Sequence, residues 1–315
     1  MADVGDNNFM RYIYRGEVGE LIPRRATHII VIARVILEHA FAEHPNIVEV
    51  ICHDGVEKIE EEAFWDCGNL RRVIMPGVKI VERKAFYWCD ALTDVECGKL
   101  EIIKEYAFWN CTCLRSINLT SVRIVEDDVL GNCNALVEAK FGSKLERIGR
   151  GAFGGAFVDC HSLERITIPL KDGMFPDDST FAGCDNLKHV DLVEGGLLET
   201  ISALQLEEWR NDIRRELYSI NRVLPSAPAG EGWDEDEDAD DHGYPGEKAR
   251  VIRWWITVVL GKIEHYKAKH QRILNEAATA LHFALPHDIL TNSVLPFLEL
   301  PSHTFEEEDQ EMEDR

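Results

Sequence analysis

The chain has 315 residues, of which 45% are hydrophobic and 29% are charged. This length and composition fit one large or two small globular domains with a sizeable core, and they exclude a chain that is disordered throughout. With 57 acidic and 34 basic residues the formal net charge is -23, which disfavours nonspecific binding to nucleic acid or to an anionic membrane and favours a basic partner.

The N-terminal residues lack the basic and apolar regions of a secretory signal peptide. The longest apolar run, Val251 to Leu260, is shorter than the roughly 20 residues that span a bilayer. Nine cysteines without a C-x-x-C pair are typical of reduced thiols. We therefore expect an intracellular protein, cytoplasmic or nuclear, that does not associate with membranes.

Residues 1–24 are predicted to form an N-terminal cap, with a hairpin over Phe9 to Leu21 that turns at Arg15-Gly16. A strand over Thr27 to Ile32 (THIIVI) follows, because this run is rich in β-branched residues. It precedes the first full copy of an internal repeat, and the repeat region is predicted to extend over residues 25–202.

The repeat consists of Phe, two variable residues, Cys, two variable residues and Leu-x-x-(Val/Ile/Ala)-x-apolar. Its last part alternates apolar and polar residues, as a half-buried strand does. Stacking such strands predicts a solenoid with one short parallel strand per turn of about 22 residues. The anchor residues are Phe41, Phe64, Phe86, Phe108, Leu130, Phe157 and Phe181. The predicted core column is Val50, Val73, Val95, Ile117, Ala139, Ile166 and Val190.

The phrase A-F-x-x-C-x-x-L-x-x-(V/I)-x-(L/I)-P resembles the BspA-like leucine-rich repeat. The segments IPRRATHIIVI, VIMPGVKIVERKAFYWC, EIIKEYAFWNC and VLPFLELP resemble the leucine-rich repeat proteins of diatoms. The resemblance implies a curved scaffold that binds proteins, and it implies no known enzymatic activity. The chain departs from the pattern at Leu130, at His44 in a cysteine position and in the longer repeat GAFGGAFVDC, where we expect local irregularity.

The residues on either side of the core column are predicted to point to the opposite face of the sheet. Charges of both signs and the absence of aromatic residues in this set favour a protein partner over nucleic acid bases or sugars, and the alternative is a solvated face without a partner. The predicted binding residues are Glu49, Ile51, Arg72, Ile74, Asp94, Glu96, Ser116, Asn118, Glu138, Lys140, Arg165, Thr167, His189 and Asp191.

Six cysteines occupy the same position of the repeat: Cys67, Cys89, Cys111, Cys133, Cys160 and Cys184. A ladder of parallel thiols does not supply the four converging ligands of zinc, so we predict buried packing and no metal site. Gly149, Gly151 and Gly154 match G-x-G-x-x-G, but without a βαβ unit they indicate a turn, and no cofactor is predicted. The chain carries no recognised catalytic motif and is predicted not to be an enzyme.

The C-terminal third is predicted to be helical. Ser202-Ala-Leu-Gln205 has the form of a capping box before a helix over 203–224 that closes the solenoid. An acidic linker (225–249), a helical module (250–300) and an acidic tail (301–315) follow. The module carries a heptad seam, which indicates packing against the cap helix or a homodimer. Its residues are Ile252, Ile256, Val259, Ile263, Tyr266, His270 and Ile273.

These features predict a non-catalytic scaffold that binds another protein through its sheet face. One alternative is an acidic, chaperone-like binder of basic proteins, which would act through the acidic runs Glu231 to Asp241 and Glu306 to Asp314. A second alternative is a self-assembling structural protein, in which the heptad helix forms the interface.

Overall fold

The computed structural model describes residues 9–149, 155–171, 173–174, 178–193, 206–224 and 247–282. The chain divides into two compact units. The first comprises Met1–Val193 with Ile220–Ile256, and the second comprises Glu194–Ser219 with Thr257–Arg315. Most of the predicted acidic linker, the end of the helical module and the acidic tail lie outside the described residues.

The first unit is a solenoid, which confirms the predicted fold class. Nine parallel strands of four residues each form one sheet. These strands are β1 (Arg11–Tyr14), β2 (His28–Val31), β4 (Glu49–Cys52), β6 (Arg72–Met75), β8 (Asp94–Cys97), β10 (Ser116–Leu119), β12 (Glu138–Phe141), β14 (Arg165–Ile168) and β15 (His189–Leu192). Their register aligns the whole predicted core column, from Val50 to Val190, and every member of it is buried.

A second parallel sheet lies alongside, so the prediction of one strand per turn was incomplete. Its six strands have two residues each: β3 (Val35–Ile36), β5 (Lys58–Ile59), β7 (Ile80–Val81), β9 (Ile102–Ile103), β11 (Ile124–Val125) and β13 (Arg147–Ile148). The first residue of each pair is partly exposed and the second is buried. Two residues are too few to show an alternating pattern in a sequence, which is why these strands were missed.

The segment from two residues before each anchor residue to the following Cys forms a third ladder of main-chain hydrogen bonds, here called the Phe–Cys turn. The N–H groups of Glu62, Phe64 and Asp66 donate to the carbonyls one turn later, at 2.8 to 3.1 Å. Glu62 and Asp66 have φ values of 54° and 55°, and most other turns place two non-glycine residues in the same left-handed conformation. The backbone polar groups are thus paired on three sides of each turn.

The anchor residues form a column of rings inside the solenoid. Phe41, Phe64, Phe86 and Phe108 stack with centroids 4.9 to 5.1 Å apart and planes within 7° of parallel. All four rings are almost completely buried. Because a ring is repeated at the spacing of the strands, these four turns pack on one another with the same contact.

The six cysteines of the repeat, here called the cysteine ladder, are buried and not disulfide-bonded. Each Sγ donates a hydrogen bond to the carbonyl of the anchor residue one turn earlier, over 2.9 to 3.3 Å. His44 occupies the same position in the first repeat, and its Nε2 lies 3.1 Å from the Pro23 carbonyl oxygen. The cysteine position therefore supplies a small buried side chain that can also donate a hydrogen bond.

The N-terminal segment is not a hairpin. Strand β1 pairs in parallel with β2, with Ile13 opposite Ile30, and so adds one more strand to the sheet. The carboxylate of Glu20 accepts the N–H groups of Arg15, Gly16 and Glu17, which fixes the bend after β1. Local turn residues predicted a reversal at this point, but the main-chain donors are bound by a side chain and the connection continues as a turn of the solenoid.

Two segments distant in sequence lie at the C-terminal edge of the sheet. The main-chain N–H of Val190, in β15, donates to Oδ1 of Asn221 in α2 (Ile220–Val223) over 2.7 Å. Lys248, in α3 (Glu247–His282), donates from Nζ to the carbonyls of Cys184, Asp185 and Leu187 at 2.7, 2.9 and 3.1 Å. These bonds satisfy polar groups at β15, the last strand of the sheet among the described residues.

The second unit contains α1 (Glu207–Leu217) and most of α3. Helix α1 begins after Leu206, which makes no side-chain capping bond, and the predicted capping box at 202–205 lies outside the described residues. Trp209 of α1 stacks on Tyr266 of α3 with centroids 5.2 Å apart. Lys262 Nζ lies 3.3 Å from Asp212 Oδ2 and 2.7 Å from Glu216 Oε2, so ion pairs border this aromatic contact.

The predicted heptad seam is covered within a single chain along most of its length. Ile252, Ile256, Val259, Ile263 and His270 are buried and Tyr266 is half-buried. Ile273 is 47% exposed, and Leu274 is buried instead. A helix with about 3.6 residues per turn drifts away from a strict heptad, which explains the shift by one residue.

Candidate binding surface on the nine-stranded sheet

The outward positions of the long strands form a continuous surface, here called the sheet face. Thirteen of the fourteen predicted binding residues are exposed or partly exposed there. The exception is Thr167, which is only 9% exposed. Its register neighbours are Lys140 and Asp191. The predicted inward and outward orientation of the strands is otherwise what the structure shows.

Four isoleucines form a row across the N-terminal end of the sheet face, here called the isoleucine row. Ile13, Ile30, Ile51 and Ile74 are direct register partners on successive strands. Ile13 and Ile51 are 41% and 38% exposed, and the other two are partly exposed. The row therefore presents aliphatic side chains at strand spacing to the outside of the sheet.

Sequence reasoning found only half of this row. Ile51 and Ile74 were predicted, whereas Ile13 was assigned to a hairpin and Ile30 to a degenerate strand before the first full repeat. Phe9, which is 68% exposed, packs on His28 beside the row, with ring centroids 4.6 Å apart. The alternation Tyr12-Ile13-Tyr14 is the sequence signal that could have identified a further strand.

Arg72 lies among three carboxylates next to the isoleucine row. Its Nη1 is 3.5 Å from Glu49 Oε1 and its Nε is 3.1 Å from Asp94 Oδ2. Its Nη2 also contacts Glu96. The hydrogen bond and charge of Glu96, with the charges of Asp94 and Glu49, raise the pKa of the guanidinium. Since one positive group faces three negative groups, this part of the sheet face carries an excess of negative charge.

The C-terminal half of the sheet face is polar and has a different pattern of charge. Ser116, Asn118, Glu138 and Lys140 project from β10 and β12. Arg165 of β14 pairs with Asp191 of β15. The sheet face thus combines an aliphatic and acidic end with an end of mixed charge, an asymmetry that a partner could recognise.

The thiols are positioned for packing. Burial raises the pKa of Cys67 and of Cys133 to about 12, which keeps both protonated at neutral pH and leaves their S–H groups as donors. Cys52 and Cys97, at inward positions of β4 and β8, are buried as well, and Cys113 is exposed. Within the residues that the structure describes, no group of three His, Cys, Asp or Glu side chains is arranged to hold a metal ion.

The glycine motif can be followed only in part. Gly149 has a φ of +81°, as expected of a turn, and residues 150–154 lie outside the described residues. The two acidic runs in the predicted linker and tail also lie outside them. Across the described part of the chain, no helix combines the length and the hydrophobicity that a membrane span requires.

Several solved structures resemble the chain. A T. pallidum leucine-rich repeat protein is 27% identical over 46% of this chain and 69% of its own, with a TM-score of 0.40. A leucine-rich repeat protein from Bacteroides ovatus is 23% identical over 55% of this chain and 47% of its own, with a TM-score of 0.37. The pneumococcal vaccine antigen PcpA is 18% identical over 58% of this chain and 65% of its own, with a TM-score of 0.31.

No curated protein sequence matches the chain. The model of the BspA type leucine rich repeat region matches residues 34–156 and 154–208, with six copies of the repeat. These segments cover more than half of the chain and include the anchor residues, the cysteine ladder and most strands of both sheets. The chain therefore belongs to the BspA-type leucine-rich repeat family.

Proposed function

We propose that this chain is a non-catalytic scaffold that binds another protein through the sheet face. Repeat proteins of this family generally serve as interaction or surface scaffolds. The observation that carries the proposal is the isoleucine row, in which four aliphatic side chains are aligned at the surface. When a partner covers these side chains, the removal of apolar surface from water lowers the free energy of the complex. The charged groups around Arg72 would then orient the partner.

The backbone geometry supports this use of the sheet face. Inward residues fill the core, and main-chain hydrogen bonds connect each strand to its neighbours, so the outward side chains are held in fixed register. A preformed surface loses little conformational entropy when it binds. No catalytic group is required, since recognition follows from shape and charge alone.

An intracellular location is proposed on the chemistry of the cysteine ladder. Each ladder thiol acts as a hydrogen-bond donor inside the solenoid, and this role requires the reduced S–H form. A reducing compartment preserves that form. Expression in oxidising and reducing compartments, followed by comparison of thermal stability, tests this proposal.

The binding proposal is tested by changing the isoleucine row without changing the fold. Variant Ile51→Ser with Ile74→Ser removes aliphatic surface from the centre of the sheet face. The matched control is Val18→Ser, which changes a 96% exposed apolar residue in the loop between β1 and β2. Each protein is first compared with the wild type by circular dichroism and thermal melting.

The three proteins are then used to capture partners from native lysate, and the captured proteins are quantified by mass spectrometry. We expect a defined set of proteins that the wild type and the Val18 variant retain and that the double variant loses. If the double variant captures the same set in the same amounts, the sheet face is not the binding surface and the proposal fails.

A further inference from the structure

A cluster of aromatic residues lies on the Phe–Cys turns, away from the strands of the sheet face. Tyr87 stacks on Trp88 with centroids 5.4 Å apart, and Tyr87 meets Tyr106 of the next turn edge to face at 6.4 Å. Tyr106 in turn contacts Trp109 at 5.7 Å. These four residues are here called the aromatic patch. The sequence signal is an aromatic residue directly after the anchor Phe in three successive turns, at Trp65, Tyr87 and Trp109.

Trp88 is the exposed member of the aromatic patch. It is 45% exposed, and its φ is 60°. The equivalent positions in neighbouring turns hold Asp66, Asn110 and Asn132, residue types that adopt the left-handed conformation with little strain. A tryptophan at this position does not relieve the strain of the left-handed backbone as Asn does, and its side chain is not fully buried in the core. Its indole ring is therefore placed for a role at the surface.

Two acidic residues lie at chain positions close to Trp88. Asp66 occupies the equivalent position one turn earlier, and Asp90 follows Trp88 by two residues on the same turn. Both are exposed, and among the described residues neither forms an ion pair. One oxygen of Asp90 accepts a hydrogen bond from Asn110 Nδ2 over 2.9 Å, which holds the carboxylate beside the Phe–Cys turns.

The same turn already shows the interaction that this arrangement favours. Lys84 Nζ lies 5.6 Å from the centre of the Tyr87 ring and 3.4 Å from Glu62 Oε1. A cation thus sits over an aromatic face and next to a carboxylate. Trp88 has the stronger π system and two carboxylates nearby, and within the described residues it has no cation over its ring.

We propose that Trp88, Asp66 and Asp90 form a second binding site, which takes the cationic side chain of an arginine or lysine in a partner protein. The indole face would attract the cation through its quadrupole, and the two carboxylates would supply opposite charge on either side. The site is separate from the isoleucine row, so either surface could bind when the other does not.

The test measures binding of a short peptide of alternating glycine and arginine to the full chain by isothermal titration calorimetry. A peptide with glutamine in place of arginine is the first control. Variant Trp88→Asn removes the ring, keeps the net charge and introduces the residue that the next turn uses at this position. Trp254→Gln is the matched control, since Trp254 is 57% exposed on α3.

We expect Trp88→Asn to weaken binding of the arginine peptide by roughly 3- to 10-fold, as loss of a cation–π contact requires, and Trp254→Gln to leave it unchanged. Asp66→Asn with Asp90→Asn should weaken binding and reduce its dependence on salt. Because Trp88→Asn retains every charge, equal affinity in this variant would assign binding to general acidity and overturn the proposal. A soluble oligosaccharide that binds the wild type but not Trp88→Asn, with no effect of that variant on the arginine peptide, would also overturn it.

Discussion

Replacing Phe86 by leucine is expected to destabilise the solenoid more than the same replacement at Phe108. Phe86 stacks between two rings, Phe64 at 5.1 Å and Phe108 at 5.0 Å. Phe108 stacks on Phe86 alone among the described rings, because the next turn has Leu130 at the anchor position. Both anchors are fully buried on adjacent interior turns, so the loss of volume is the same for the two variants.

The difference between the variants isolates one ring contact. A stacked aromatic pair contributes about 0.5–1.5 kcal/mol beyond the burial of its area. Phe86→Leu removes two such pairs and Phe108→Leu removes one. The free energy of unfolding should therefore fall by about 0.5–1.5 kcal/mol more for Phe86→Leu, in addition to the packing loss that both share.

Equilibrium unfolding in guanidinium chloride, followed by far-ultraviolet circular dichroism, measures this difference. Stacked repeats do not always unfold in a single step, so the two variants are compared with each other on adjacent turns and not with an external reference. Equal destabilisation, or a larger effect at Phe108, would refute the reasoning that the ring column contributes more than its volume.

Four further predictions follow from the packing and titration of single groups. In the native protein a thiol reagent should modify Cys113 alone, as intact mass shows, and all nine cysteines after denaturation. Burial raises the pKa of the ladder thiols, so their protonated form stabilises the folded state. This stabilisation is fully present below the ordinary thiol pKa of about 8.5 and should be lost as the pH rises towards 12. Thermal melting at successive pH values measures the loss. Gly142→Ala places a Cβ 2.0 Å from the Thr120 carbonyl oxygen and should lower stability by about 1–3 kcal/mol, whereas Gly68→Ala meets nothing within 4 Å and should change it little. Lys248→Met removes three hydrogen bonds to carbonyls at the end of the solenoid, and hydrogen exchange of β15 should become faster.

Much of the candidate binding surface could be predicted from the repeat. Once Val73 is assigned to the core, the period of a strand places Arg72 and Ile74 on the opposite face, and the structure places them there. Repetition then extends that assignment from turn to turn. Thr167 is buried although it lies at an outward position of its strand, because the phase of a strand specifies direction but not exposure.

The heptad pattern determined that α3 is a helix with one apolar side, but not what covers that side. Burial of Ile263 and His270 within a single chain, with Ile273 exposed, is a result of tertiary packing. A heptad pattern describes only the side of a helix, and the same side can face another segment of the chain or a second copy. Sequence reasoning alone therefore left both interpretations open.

The sequence by itself determined the period of the solenoid, the residues that face its core and the position of the cysteine ladder, since these follow from local alternation repeated at a fixed interval. Tertiary structure decided the pairing of β1, the second sheet, the thiol bonds to the preceding turn and the place of Lys248, whose partners lie 61 to 64 residues away. These features depend on which segments meet in space. A local pattern records the preference of a residue for the core or the surface, but not the identity of its distant partner.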